Sequence, residues 1–443
     1  MIQTLKNAWK IPELKKKLLF TLLIVLLYRL GASIPVPYVD ANAVNAATLS
    51  TGFLGYLNIM SGSAFAQATL FALSVSPYIT ASIVIQLLTI AIPALEKWSK
   101  DGEEGRKKIS ALTRAVTVAL ALVTSYGYMN IINQVGILNI AEEDGIAIFQ
   151  KAVVVACYCA GASLIMWLAE KINEHGIGNG ISIILFANIL SGGWNVVEGI
   201  IRMIRGIKLD PTTGFEVPAG YGLPVGILLG VISIAITLAF VVLVVLVTNS
   251  ERRIPIQYAK RVVGRKMYGG QNTNLPIKIN MSGVMPIIFA SSIVSIPATI
   301  QAFANWKWLD WVNDYFSYDS WIYLVVNLIL IVAFSYFYIM ISFNPVEVAN
   351  NIKNNGGAIP GVRTGKPTVD FINKILSRIT FIGAIFLCII AGFPMLVNIL
   401  FGGSFTGLAF GGNSLLIVVG VALETVRELE AQITMRNYKG FLD

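Results

Sequence analysis

Long runs of apolar residues dominate the chain, and shorter polar segments separate them. Ten runs approach the roughly 20 residues that a helix needs to cross a bilayer. The runs are continuous and do not alternate with polar residues, so they predict helices and not barrel strands. Their approximate bounds are Leu18–Pro37, Ala68–Ile92, Ala115–Ile132, Ala152–Ala169, Asn179–Ile200, Pro224–Thr248, Ser282–Ala302, Trp321–Phe343, Ile379–Leu400 and Gly407–Val426. The pattern predicts an all-α polytopic membrane protein with ten transmembrane helices.

Composition supports a membrane protein, and the distribution of charge predicts its orientation. Of 443 residues, 56% are hydrophobic and 13% are charged, about half the usual charged fraction of about 25% in a soluble domain. If the N-terminus is cytoplasmic, the cytoplasmic segments hold 27 of the 33 Lys and Arg residues. Positive residues concentrate on the cytoplasmic side of membrane proteins. Both termini are therefore expected in the cytoplasm.

Two connections are long and basic, one over residues 249–280 and the other over residues 344–378. They have one simple explanation, which is that their charges only hold the orientation of the chain. Their length, and the Gly, Pro and apolar residues among the charges, favour a docking surface for a large partner with acidic features.

Two further segments suggest how the helices are organised. Residues 53–67, FLGYLNIMSGSAFAQ, are apolar but too short to cross, so they form either an external interfacial helix or a re-entrant segment. The pattern P-x-I-x-A-S occurs from Pro77 and again from Pro286, in the second and seventh predicted spans. These spans would run in opposite directions, so the match favours two inverted repeats of five spans.

The sequence lacks the motifs of the common enzyme classes. The segment GVRTGKP resembles a phosphate-binding loop, but Pro360 and Pro367 occupy positions where that loop needs Gly and Ser or Thr. We expect no enzyme activity, no cofactor and no metal site. Arg29 is the clear charged residue within a span, and we expect it to extend toward the external interface. An ion-coupled secondary transporter of small solutes remains the alternative, although such carriers usually place more charge within the membrane.

Several long motifs give a more specific interpretation. They include YRLGASIPVP in the first span, FALSVSPYITASIVIQLLT in the second, INEHGIGNGISII before the fifth and FNPVEVANNIKNNGGAIPGVRTGKPT in the second basic loop. Through these motifs the chain resembles the SecY family of protein-conducting channels over essentially its whole length. The resemblance implies two halves, residues 1–223 and 224–443, around a central pore. It also implies that the chain passes unfolded secretory polypeptides across the membrane and releases membrane segments through a lateral gate.

The resemblance further assigns roles to individual residues. An apolar ring that narrows the pore would comprise Val75, Ile79, Ile181, Leu185, Ile288 and Ile417. A plug at about residues 53–64 would include Leu57, Asn58, Ile59, Met60, Ser61 and Gly62. The lateral gate would be flanked by Thr80, Thr124, Ser291 and Ser292.

The resemblance also implies partners and a location. The basic loops would dock the SecA motor and the ribosome, including ribosomal RNA, through Arg252, Arg253, Lys260, Arg261, Arg363 and Lys366. SecE and SecG would be further subunits of the same complex. Unfolded preproteins, their signal sequences and membrane lipids would contact the channel itself. The expected location is the bacterial plasma membrane.

Overall fold

The computed structural model describes residues 2–39, 58, 61–134, 138, 144–209, 216–218, 223–258, 261–263, 266–268, 272–304, 320–401 and 412–439. These residues form helices connected by turns and short strands. The helices are α1 (Ile2–Lys10), α2 (Pro12–Gly31), α3 (Ser76–Ala91), α4 (Pro93–Lys100), α5 (Gly102–Gln134), α6 (Asp144–His175), α7 (Gly180–Arg205), α8 (Leu223–Asn249), α9 (Met285–Ala304), α10 (Trp321–Ser342), α11 (Pro345–Asn354), α12 (Lys366–Phe401) and α13 (Gly412–Lys439). The strands are β1 (Ile207–Leu209), β2 (Glu216–Pro218), β3 (Glu251–Tyr258), β4 (Arg261–Val263), β5 (Lys266–Tyr268), β6 (Asn272–Lys278) and β7 (Gly357–Ala358).

Each of the ten predicted spans overlaps one of these helices, and the strands lie in the connections. Five helices in the described part of the chain are long and apolar enough to cross a membrane. A sixth span is added if α3 and α4 form one broken span, since they meet at Pro93 with a bend of 102°. The predicted fold class, an all-α polytopic membrane protein, is confirmed.

The second predicted span was wrong at its start. We expected it from Ala68, but α3 begins at Ser76. The residues before it form turns, in which Thr69 bridges to Pro35 and the Leu70 N–H donates to the Ile34 carbonyl at 2.9 Å. Pro77 is the second residue of α3. A proline has no N–H to give and fits the first turn of a helix, where that N–H is not needed.

The helices pack around one large apolar cluster. Helix α9 contacts both α3 and α5, while α13 contacts α7, α8 and α12. Pro286 is the second residue of α9, just as Pro77 is the second residue of α3. The two copies of the short repeat therefore occupy the same position in their helices, which agrees with the predicted correspondence of the second and seventh spans.

The two basic connections fold together into a single structure. Strand β3 pairs antiparallel with β6, from Glu251 opposite Lys278 to Gln257 opposite Asn272, and with β7 on its other edge. One face of this sheet packs on α11 and on the first turns of α12. We call β3, β6 and residues 345–379, which include α11, β7 and the first turns of α12, the basic-loop unit. Its core comprises Ile254, Ile256, Ile277, Ala349, Ile352, Ile359, Ile372, Leu376 and Ile379.

Candidate functional site

The six side chains assigned to the apolar ring lie in or against the large apolar cluster. Val75, Ile79, Leu185, Ile288 and Ile417 are buried members of the large apolar cluster, and Ile181 packs against it. They come from the start of α3, the start of α7, α9 and α13, which lie far apart in the sequence. Residues four positions apart share one face of a helix, which explains how α7 contributes two of them. Their role as a pore constriction remains a prediction.

A cavity of about 500 Å³ lies directly beside these residues. Ile288 and Ile417 form part of its wall, so the apolar cluster borders the cavity. Much of the remaining lining is polar or charged. These lining residues include Asn179, Ser182, Lys278, Asn280, Ser282, Glu424, Arg427 and Glu428. The cavity thus has a partly polar wall that is bordered on one side by aliphatic side chains.

The charged residues of this cavity connect it to the basic-loop unit. Arg427 of α13 donates to the Thr248 carbonyl and to the Asn249 side chain, each at 2.7 Å, at the end of α8. Lys278 is the last residue of β6. Burial lowers the pKa of Lys278, and the nearby charge of Arg427 lowers it further. Sequence reasoning missed these residues as a group, although the polar residues just before the seventh span were a signal.

The end of the predicted plug is a compact turn. Among the predicted plug residues, Leu57, Ile59 and Met60 lie outside the described residues, whereas Asn58, Ser61 and Gly62 lie within them. The Asn58 side chain accepts from the Ala66 N–H at 3.0 Å, and the Ser61 hydroxyl accepts from the Phe65 N–H at 2.9 Å. The two side chains thus give hydrogen-bond acceptors to the N–H groups of Phe65 and Ala66, which lie outside any regular helix.

Two buried tyrosines hold the turns that follow. Tyr128 of α5 donates its hydroxyl to the Phe65 carbonyl, and Tyr158 of α6 donates to the Ala68 carbonyl at 3.2 Å. Their rings lie edge to face with centroids 4.9 Å apart. Sequence reasoning had no indication of these contacts, because a tyrosine in an apolar run looks the same whether it faces lipid or a carbonyl.

The predicted gate residues lie on three helices that contact one another: Thr80 on α3, Thr124 on α5, and Ser291 and Ser292 on α9. Thr80, Thr124 and Ser292 each donate to the carbonyl four residues earlier in their own helix. Ser291 is only 1% exposed, and its hydroxyl has no hydrogen-bond partner among the described residues. The hydrogen bonds of Thr80 and Thr124 therefore stay within their own helices.

The structure describes five of the six predicted docking residues. Arg252 and Arg253 on β3 are exposed, as are Arg363 and Lys366 beside the start of α12. Arg363 lies between Gly361 and Gly365, both of which have positive φ angles, so it occupies a tightly turned tip. The backbone of Arg261 belongs to β4, and Lys260 lies outside the described residues. The structure thus brings cations from two separate loops onto one basic-loop unit.

Comparison with known proteins decides the family. The SecY family model matches residues 69–426, which is most of the chain. The chain belongs to the SecY family. The protein translocase subunit SecY of Streptomyces galbus is 42% identical over 454 residues, with 100% of both chains covered. The match to the family model includes both basic loops and the helices from α3 to α12, and it ends within α13 at Val426.

Solved structures show that the fold is shared as well. One solved structure is of a SecY protein whose plug domain stabilises the closed state of its translocation channel. Its TM-score to this chain is 0.59 and its sequence identity is 19%, with 96% of each chain covered. The Sec61 channel of the canine ribosome–channel complex has a TM-score of 0.58 and 18% identity, again with 96% of each chain covered. This chain is therefore a multi-pass membrane protein with the SecY-type fold.

Proposed function

We propose that the chain is the central pore-forming subunit of a protein translocation channel, with no catalytic activity of its own. The observation that carries this proposal is the junction between the polar cavity and the aliphatic cluster, where Ile288 and Ile417 belong to both. An apolar ring offers no hydrogen bonds to a passing polypeptide, so it blocks ions at rest without holding a substrate. Unfolded secretory polypeptides would pass through the ring and displace the plug.

The helix contacts support a lateral exit on one side of the pore. The halves 1–223 and 224–443 would separate where α9 meets α3 and α5. Because the hydrogen bonds of Thr80 and Thr124 stay within their own helices, separation leaves those bonds intact. Signal sequences and membrane segments would enter lipid by this route.

The basic-loop unit would dock the source of energy. Arg252, Arg253, Arg363 and Lys366 present exposed positive charge suited to acidic protein surfaces and to RNA. The SecA motor and the ribosome would bind here, and SecE and SecG would complete the complex.

The packing of the two ends of the chain supports the expected orientation. Helix α1 packs on α13, and Thr4 donates to Glu430 at 3.0 Å, which supports both termini on one side. We place that side in the bacterial cytoplasm and the protein in the plasma membrane, because the basic loops would then face the cytoplasm as well.

Reconstitution tests this function directly. The purified chain with SecE is placed in liposomes, SecA and ATP are added, and protection of a secretory preprotein from protease is measured. We expect ATP-dependent protection that is absent without SecA. If an intact complex gives no protection in the presence of SecG as well, the proposed function is contradicted. Uptake of small solutes by the same liposomes would then favour the transporter alternative.

A further inference from the structure

Arg29 places a charged group within the membrane part of the fold. It lies in the last turn of α2 and is half-buried. One of its terminal nitrogens, Nη2, donates to the Ala187 carbonyl at 2.8 Å and to the Asn188 carbonyl at 3.4 Å, both in α7. The Arg29 side chain therefore reaches α7, and its extension toward the external interface remains a prediction. A cation in apolar surroundings is retained only where polar groups satisfy it, and these carbonyls do so.

The backbone of Gly62 rests on this guanidinium group. A Cβ atom at Gly62 would lie 2.9 Å from Arg29 Nη2 and 3.0 Å from the Asn188 carbonyl oxygen, which is too close for either contact. Gly62 also has a φ of +64°, a conformation that disfavours side chains. Gly62 lies near the end of the predicted plug at residues 53–64, so this part of the plug borders the Arg29 side chain.

The same contacts continue to the apolar ring. The Asn188 side chain donates to the Ser74 hydroxyl at 3.0 Å. Ser74 directly precedes the ring residue Val75, and Asn188 follows the ring residue Leu185 by three positions, almost one helical turn. Arg29 and Asn188 therefore connect α2, α7 and the start of α3 at the place where the plug segment meets the ring.

We propose that Arg29 is a positioning residue that forms the seat of the plug and thereby sets how readily the channel opens. This inference rests on the proposed function. In the resting channel the guanidinium group, held by two α7 carbonyls, supports the Gly62 turn over the ring. Arg29 bonds to α7 and only packs against the Gly62 turn, so its effect on the plug comes from that packing, and removing a packed side chain commonly shifts an equilibrium by about tenfold. Loss of the Arg29 side chain should shift the plug toward its displaced state by about that factor.

Accessibility of a cysteine beside the plug tests the seat independently of transport. Ala64 is 2% exposed, so Ala64→Cys in a background with Cys157, Cys159 and Cys388 replaced by Ala should react slowly with a membrane-impermeant maleimide. The complete complex in proteoliposomes is labelled from either side. We expect Arg29→Met and Gly62→Ala each to raise the labelling rate about tenfold. Arg29→Lys should give a smaller rise, because an ammonium group can still donate to one carbonyl.

A matched glycine provides the control. Gly102 has a φ of +69°, but a Cβ atom added there would meet nothing within 4 Å, so Gly102→Ala introduces the same backbone strain without the contact. Its labelling rate should equal that of the parent. Export of a preprotein with a defective signal sequence is measured on the same variants, and we expect it to rise with labelling.

The outcomes separate the two proposals. Labelling of Arg29→Met or Gly62→Ala at the parent rate, or equally fast labelling of Gly102→Ala, would overturn the seat. If the parent chain exports no intact preprotein but the labelling rates follow the expected order, the channel function fails and the plug contact stands. Should Arg29→Met not assemble, Gly62→Ala and Arg29→Lys give the same decision.

Discussion

Two irregular regions of this protein satisfy their polar groups in different ways. The turns over residues 61–75 lie among the membrane helices, and side chains from other helices bond their backbone carbonyls, as Tyr128 and Tyr158 do. The basic-loop unit instead pairs its own backbone in a sheet and leaves its arginines exposed. Without water, every backbone polar group must find an internal partner. In water, charged side chains remain available for another molecule.

The cost of irregular backbone also differs between the two regions. Ser63, Ala68 and Ser74 in the membrane turns have positive φ values without being glycine, which costs about 1 kcal/mol each. In the basic-loop unit, the positive φ values beside Arg363 fall on Gly361 and Gly365. Among the described residues, the non-glycine positive φ values thus fall at Tyr38 and in these membrane turns, and none falls in the basic-loop unit.

Removing apolar contacts from the basic-loop unit should give the largest loss of stability. Ile372 of α12 is fully buried in the core of this unit. We expect Ile372→Ala to lower the free energy of unfolding of the unit by about 2–5 kcal/mol, because the cavity is not refilled. Limited proteolysis in detergent measures the change. The exposed Val346→Ala on α11 is the control, and an equal effect there would contradict an apolar origin of stability.

Charge reversal on the same unit should affect function and leave stability unchanged. Arg363 is exposed at the turned tip, so Arg363→Glu is expected to weaken SecA-driven export by about 2 kcal/mol or more, roughly 30-fold, while assembly stays normal. Protease protection in proteoliposomes is the measurement. Lys374→Glu reverses an exposed charge further along α12 and should have little effect. Normal export by Arg363→Glu would refute the docking assignment.

Loss of one hydroxyl among the membrane turns should give a smaller but clear effect. Tyr128→Phe leaves the Phe65 carbonyl without its buried donor, which is expected to cost about 1–3 kcal/mol of stability. Thermal unfolding in detergent measures it. Tyr126 on the same helix is 59% exposed, and Tyr126→Phe is the matched control. Equal unfolding temperatures for the two variants would mean that Tyr128 does not support the turns.

The smallest effect is expected from an exposed ion pair in the basic-loop unit. Arg253 Nε lies 2.7 Å from Glu251 Oε1, and the Arg253 side chain is 69% exposed. Solvent and salt screen such pairs, so Glu251→Ala should change stability by no more than about 0.5 kcal/mol. Chemical unfolding at low and high salt measures this. A loss above about 1 kcal/mol would show that exposed charges also stabilise this unit.

The second predicted span, from Ala68 to the bend at Pro93, shows what the sequence can and cannot predict about a helix. The apolar run from Ala68 to Ile92 correctly predicted a helix, but not its start at Ser76 or the 102° bend at its end. The late start depends on a contact outside the run, the bond from the Leu70 N–H to the Ile34 carbonyl. Pro77 and Pro93 were local signals, since a proline favours the first turn of a helix.

The candidate site likewise combines residues that the sequence indicated with contacts that it did not. The motifs predicted the six ring residues, and the structure gathers them around one cluster, because aliphatic side chains pack together whatever their distance in the sequence. Arg29 was recognisable as a charge within a span, but its partners were not. The two basic loops were recognisable as well, but not their union in one sheet, since β3 pairs with β6 and with the distant β7.

By itself, the sequence determined the helical membrane class, the number of apolar runs and the family, because these depend on composition and order along the chain. Only the tertiary structure decided which polar groups meet. The partners of Arg29, Tyr128 and Arg427 include backbone carbonyls of distant segments. Every residue has such a carbonyl, so no residue type marks the partner, and the folded chain alone selects it.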